Sequence, residues 1–292
     1  MPSLPTCISI TGASSSRRPP ERHKIPPVTA TETLLRRDRL VVAACLLVIC
    51  GLSWWYVFVG AGTGMSIVAM TTWQFPPPVY ATTASAWPLS YWCLMVAMWW
   101  VMMIAMMLPS ASPVVLLYTR VQRHHTRLAG EQNAVVPTLS FVLGYLLSWL
   151  AFSLLATVLQ WALEQLGLVH GMMMWSSNRG LSALFLVAAG LYQLSPQKAA
   201  CLDHCQSPVA FLSRHWRSGR LGALRMGLLH GAYCVGCCWS LMLLLFVGGI
   251  MNLVWIAGLA IFVLVEKLLS GGDRLARYAG GLLVMAGIWL LL

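Results

Sequence analysis

From residue 228 to 250 the chain carries no Asp, Glu, Lys or Arg, and several other long runs are just as poor in charge. In hydrocarbon the backbone must satisfy its own hydrogen bonds, which leaves only helices and closed barrels as spanning structures. These runs are too long and alternate too little for barrel strands, so helices are expected. Hydrophobic residues at 59%, charged residues at 9% and a mean hydropathy of +0.74 exclude an ordinary soluble domain. The expected fold class is therefore all-α, a polytopic membrane helix bundle.

About seven transmembrane helices are expected, over 40–60, 89–108 (apolar to 117), 138–163, 180–194, 226–248, 253–265 (extendable to 269) and 275–292. Crossing ~30 Å of hydrocarbon takes ~20 residues, which leaves the fourth and sixth short. Residues 1–38 are rich in Pro, Ser and Arg without apolar periodicity and read as a disordered cytoplasmic tail, followed by a membrane domain over 39–292. The tail is too long a leader for a cleaved signal, so a retained first span is expected.

Charge placement fixes the expected orientation. With the N-terminus cytoplasmic and the C-terminus outside, the inner segments hold Arg17, Arg18, Arg22, Lys24, Arg36, Arg37 and Arg39; Arg120, Arg123 and Arg127; Lys198, Arg214, Arg217, Arg220 and Arg225; and Lys267, Arg274 and Arg277. Only Arg179 falls outside, the asymmetry expected of a bacterial inner-membrane protein. Trp73, Trp87 and Trp175 mark outer interfaces. This placement accounts for the net charge of +11 without nucleic-acid binding.

The chemistry concentrates in His230-Gly-Ala-Tyr-Cys234-Val-Gly-Cys237-Cys238-Trp239. At about 100° per residue, Cys234, Cys237 and Cys238 fall at about 40°, 340° and 80° from His230, so one helix face carries four soft-metal ligands. Thiolates and imidazole suit Cu(I) and also Zn(II). A single packing cysteine is common in a helix, but three with a histidine on one arc favour metal or redox use. A second group, Cys201-Leu-Asp-His204-Cys205, is expected in a short cytoplasmic loop, where one turn directs two thiols and an imidazole to a point. Its order differs from the Cys-x-x-Cys-His of haem attachment.

A third group lies in the second span. With Met95 at zero, Met98, Met102 and Met106 fall at about 300°, 340° and 20°, a thioether stripe about 80° wide. Thioethers bind Cu(I), although methionine equally serves as a filler of irregular gaps. The stripe and the cysteine face predict that the second and fifth spans pack together, with the Cys-His loop closing their inner end. Leu108-Pro109-Ser-Ala-Ser-Pro113 is expected to end or kink the second helix. Glu266-Lys267 reads as an interfacial anchor with Glu266 as an outer-shell candidate. His124-His125 and Met172 to Met174 are weaker candidates. Only eight acidic residues exist, most in expected loops, and no phosphate-binding glycine loop or Ser/His/Asp set occurs, so hydrolases and ATP-driven pumps lack their parts.

Several of these residues resemble a family of bacterial integral-membrane proteins, formerly a domain of unknown function and thought to bind metal, with members regarded as copper chaperones for tyrosinase-type oxidases. The resemblance rests on Trp99, Met102, Ala105, Met106, Met107, Leu108, Pro109, Ser110 and Pro113; on Gly144, Tyr145 and Trp149; on Tyr192, Gln193, Pro196 and Lys198; on Cys201, Leu202, Cys205, Ser207 and Pro208; and on Cys234, Gly236, Cys237, Cys238, Trp239, Met251, Asn252, Glu266 and Lys267. It covers roughly 90–270. The family's loop motif has Arg after its second cysteine, where this chain has Gln206, and His204 is this chain's own.

The leading expectation is a Cu(I) carrier that takes the ion at its cytoplasmic side and passes it to an outward-facing copper oxidase or periplasmic copper carrier. Such a carrier catalyses no reaction. The competing expectation is a thiol–disulfide oxidoreductase that exchanges Cys234/Cys237 and Cys201/Cys205 with a quinone. A third has the cysteines only packing helices.

Overall fold

The computed structural model describes residues 40–63, 68, 71, 86–128, 135–171, 174–269 and 271–292, and the helical backbone alone over 30–39. The first 29 residues of the expected tail, and also Trp73, Met172 and Met173, lie outside the described residues. A compact body spans Asp38–Leu292.

The described chain is helical: α1 Ala30–Phe58, α2 Leu89–Leu128, α3 Val135–Gln165, α4 Arg179–Gln193, α5 Pro196–Gln206, α6 Pro208–His215, α7 Gly219–Leu243, α8 Leu245–Gly248, α9 Leu253–Leu268 and α10 Gly272–Leu291. Among the described residues the extended pairing is a single bridge between Val169 and Ser176. The backbone is already helical at Ala30, inside the segment read as a tail. Five stretches are long and apolar enough to cross a membrane: Leu40–Phe58, Leu89–His125, Val135–Gln165, Gly219–Gly248 and Gly272–Leu291. The fourth and sixth expected crossings correspond to α4 and α9, at 15 and 16 residues. Exposed Leu47, Leu52 and Trp55 on α1, Leu139, Leu154 and Leu155 on α3, and Leu282, Met285 and Trp289 on α10 give the body an apolar exterior suited to lipid.

The closest helix pairs meet where side chains vanish. A Cβ on Gly144 of α3 would lie 2.8 Å from Leu228 N of α7, and one on Gly227 would overlap the Phe141 backbone. Backbones this close gain dispersion contact, the main attraction left between helices in lipid. Ser148 Oγ bonds Leu228 O across the same crossing at 3.0 Å. A second such crossing joins α4 to α10, where a Cβ on Gly190 would stand 2.7 Å from Gly280 O.

Two expectations change. First, of the end or kink expected at Pro109 the end does not occur, because α2 runs through Pro109 and Pro113 to Leu128. Proline at 109 removes the N–H that would reach Ala105 O, and the Trp54 indole of α1 donates to that carbonyl at 3.0 Å. Proline at 113 likewise frees Pro109 O, which Ser112 Oγ takes at 2.7 Å. With both carbonyls bonded, the helix continues. Second, α2 and α7 do not form a packed pair. Instead α3 packs on both, and α9 also contacts both. The large Met, Trp and Phe side chains of this region fill the gap, so α2 and α7 share one core through side chains.

Candidate metal centre

Helix α7 is buried along the face that carries His230, Cys234, Cys237 and Cys238. The Cys237 and Cys238 sulfurs lie 3.3 Å apart, and their thiols donate to Cys234 O at 3.2 and 2.9 Å. Cys205 reaches them from α5, its sulfur 3.9 Å from that of Cys237. All eight described cysteines are free, and these separations are far beyond a disulfide bond of about 2.05 Å.

The Cys201–Cys205 segment is a helix rather than a loop. Ser195 caps it, its Oγ accepting from Lys198 N at 3.2 Å, and Pro196 sits in the first turn where its missing N–H costs nothing. Gly236 makes room for Cys201, since a Cβ there would stand 3.0 Å from its sulfur. Tyr192 OH fastens the same turn to α4 through Gly236 O at 2.6 Å. Burial pushes the Cys201 thiol up, against the pull of the Lys198 charge. The hydrogen bond between Cys205 and Cys234 pushes the Cys205 thiol well above its ordinary range, and burial adds to that.

Cys234 turns toward other helices. Lys267 Nζ of α9 stands 2.9 Å from its sulfur and 3.4 Å from Ser110 Oγ of α2. Tyr145 OH of α3 lies 3.2 Å from the same sulfur and donates to Met107 O at 3.1 Å. Lys267 is only 6% exposed, so an ammonium sits among thiols in an apolar interior. Glu266 does not pair with its neighbour but with the buried Lys198, at 2.6 Å, while Gln206 Nε2 bonds Glu266 O at 2.8 Å. These two contacts clamp α5 against α9. Glu266–Lys267 is thus no interfacial anchor, because both side chains are buried at the thiols' end of α9.

The remaining sequence candidates divide. His230 is buried and stacks on Tyr145 and Phe141, with ring centroids 5.9 and 6.2 Å away, and its Nδ1 has no hydrogen-bond partner among the described residues. His204 directs Nδ1 to Ala200 O at 2.8 Å, stacks on Tyr233 at 4.3 Å and borders a surface cavity with Asp203, Ser207 and Arg214. Met95, Met98, Met102 and Met106 are fully buried in the core that also holds the α7 cysteines. His125 stacks on Trp216 at 4.7 Å, and His124 lies beside it.

Among the described residues, no three His, Cys, Asp or Glu side chains stand as a ready ion cage. The thiols touch one another in pairs, and Cys234 faces the ammonium. Tyr145 and Lys267 were missed as site residues. The signal for Lys267 was there, since an ionisable residue in an otherwise apolar helix is a candidate functional group. For Tyr145 the sequence offers only the resemblance.

Membrane-length apolar helices packed around a buried cluster of thiols define the class: an all-helical protein with several helices long and apolar enough to cross a membrane. The model of the PpoB2 copper chaperone family matches residues 96–290, and the chain belongs to that family. The match runs past the expected 270 and takes in α10. Searches of curated proteins and of solved structures find no match.

Proposed function

We propose that this chain is a multi-pass protein of a bacterial inner membrane that binds Cu(I) at its buried thiols and hands it outward, to a copper oxidase or a periplasmic copper carrier. The carrying observation is the convergence of Cys205, Cys237, Cys238 and Cys234 from two helices, beside the Lys267 ammonium. In this reading α4 and α9 cross as shorter helices, giving seven crossings with the N-terminus cytoplasmic and the C-terminus outside.

Cys201, only partly buried on α5, captures the ion, and Cys205, Cys234, Cys237 and Cys238 hold it. With metal–sulfur bonds of about 2.3 Å, a two-coordinate ion between Cys205 and Cys237 needs its thiols to part by less than about 1 Å from their 3.9 Å separation. Each ligating thiol sheds its proton. Two thiolates around a monovalent ion leave one negative charge, and the nearby ammonium offsets it without an anion having to be buried alone. The free Nδ1 of His230 is a further donor, whereas His204 has its Nδ1 bonded elsewhere. Copper is favoured over zinc because thioethers line the core beyond the thiols, and those suit Cu(I).

The test is metal analysis of the purified protein, loaded anaerobically with Cu(I) and challenged with a moderate chelator, beside Cys234→Ala/Cys237→Ala. Wild type keeps about one equivalent and the variant none. A wild type stripped as readily as the variant overturns the reading.

A further inference from the structure

Cys234, Cys238, Met242 and Phe246 recur at every fourth residue, so they follow one another along one side of α7 and its continuation α8. All four are buried. The two ends of this row differ. On the side of α5, Cys201 and Cys205 are partly exposed. On the other side the Phe246 ring lies between Trp99 of α2 and Phe185 of α4, with centroids 5.5 and 5.8 Å away. Rings at these separations touch, and an interior packed to that density passes no ion.

Phe246 belongs to a turn whose burial is unusual. Every residue from Leu244 to Asn252, the connection between α7 and α9, is buried, whereas connections ordinarily run over the surface. In a membrane-spanning bundle such backbone is tolerated where protein covers it. The cover comes from the residues just before α4. Ser176 N–H donates to Phe246 O at 2.8 Å and Ile250 N–H to Met174 O at 3.0 Å, while a Cβ on Gly249 would touch the Trp175 ring at 3.4 Å. Both sides of this latch have positive φ, Gly249 at 101° and Met174 at 55°. Glycine adopts that region freely, but methionine does so at a cost and stays there because its neighbours fix it. Breaking the two backbone bonds therefore lets Met174 relax, and Gly249 gives the turn a pivot beside them.

We propose that the turn from Leu244 to Asn252 is the gate through which the thiol centre discharges away from α5, with Phe246 as its plug and the contact with Met174 and Ser176 as its latch. Closed, the Trp99–Phe246–Phe185 layer confines the ion to the sulfur row, whose last member below the plug is Met242. Open, the Phe246 ring leaves its place between α2 and α4, and a soft ion passes from Met242 to an acceptor on that side. The ion exchanges ligands at constant valence, so no covalent or redox change is involved. The proposal rests on the thiol centre being a Cu(I) site.

Hydrogen exchange on the metal-free full chain in lipid reads the gate directly. The Ser176 and Ile250 amides, although buried and bonded, should exchange at least about tenfold faster than the helical amides of the equally buried Ser153 and Thr157 in α3, because the turn opens while the bundle stays folded. A second measurement uses oriented proteoliposomes loaded anaerobically with Cu(I) and an impermeant Cu(I) chelator added on one side at a time. Phe246→Ala should speed withdrawal from the Phe246 side by about tenfold and the milder Phe246→Leu by about threefold, with withdrawal from the α5 side and tight affinity both unchanged within about twofold. A ring that only packs would change withdrawal from the two sides together. Ser176 and Ile250 amides as slow as those of α3, or a folded Phe246→Leu that withdraws at the wild-type rate on the Phe246 side, overturn the proposal. A wild type that keeps no Cu(I) overturns the thiol reading instead, and the exchange measurement, made without metal, is read apart from it.

Discussion

At the Met106 end of α2 the buried polar partners are thiols, a phenol and an ammonium; at the Met95 end they are an amide, two indoles and a carboxylate. The charges are reversed along with the donors. The thiols at one end have the Lys267 ammonium beside them, and at the other end one amide bridges the Met95 sulfur and a carboxylate. In a medium of low dielectric a charge set beside groups of opposite sign keeps a large net charge from being buried.

The sharpest way to break this contrast is to remove ligands at each end in turn. Cys234→Ser/Cys237→Ser is expected to lower Cu(I) affinity by about a thousandfold in chelator competition, more than the 10–100-fold typical of an outer-shell partner. The near-isosteric Met95→Leu/Met98→Leu should leave tight affinity within about threefold. Equal losses from the two pairs would erase the distinction between the thiol end and the thioether end.

The charge at the thiol end comes next. Lys267→Met, close in volume but neutral, should weaken tight Cu(I) binding by about tenfold, because the anionic thiolate complex loses its counter-charge. Lys267→Arg should recover part of it. Tighter binding in Lys267→Met would instead make the ammonium a competitor for the ion's place.

How much of this could be read beforehand depended on whether the cause was local. The all-helical class and the shared buried face of His230, Cys234, Cys237 and Cys238 on α7 follow from charge-free length and from 3.6-residue periodicity, both properties of a single segment. The continuation of α2 past Pro109 does not, because the donor that repairs its ladder is Trp54, a residue of another helix. The same holds for the placement of Lys267, which reads as a boundary anchor until α9 is seen against α7. Glu164 passes for an ordinary loop acid for the same reason, its partners being Trp87 and a glutamine held by Trp99. The loop expected at Cys201–Cys205 is a helix whose signal is local and was passed over, since Ser195-Pro196 is a helix start in the sequence itself.

Tyr145 tests whether the thiol end depends on its hydroxyl for strength or only for placement. Tyr145→Phe removes the bond to Met107 O and the contact with Cys234, and should cost about 1 kcal/mol of stability in thermal or denaturant unfolding. Tight Cu(I) affinity should fall by only about two- to fivefold, since the phenol does not replace a ligand.

The smallest effect is expected at His204, which sits on the same helix as Cys201 and Cys205 and would, by spacing alone, belong with them. Its Nδ1 is bonded to Ala200 O, and its ring lies flat on Tyr233 with planes 17° apart. Both contacts hold the imidazole against its own helix and α7. His204→Ala should therefore leave tight Cu(I) binding unchanged within about twofold, at a stability cost of about 1 kcal/mol from the lost stacking and hydrogen bond. A tenfold fall in affinity would show that α5 swings its imidazole into the thiols when the ion arrives, and the holding end would then be a mixed sulfur and nitrogen site rather than a set of thiolates balanced by a lysine.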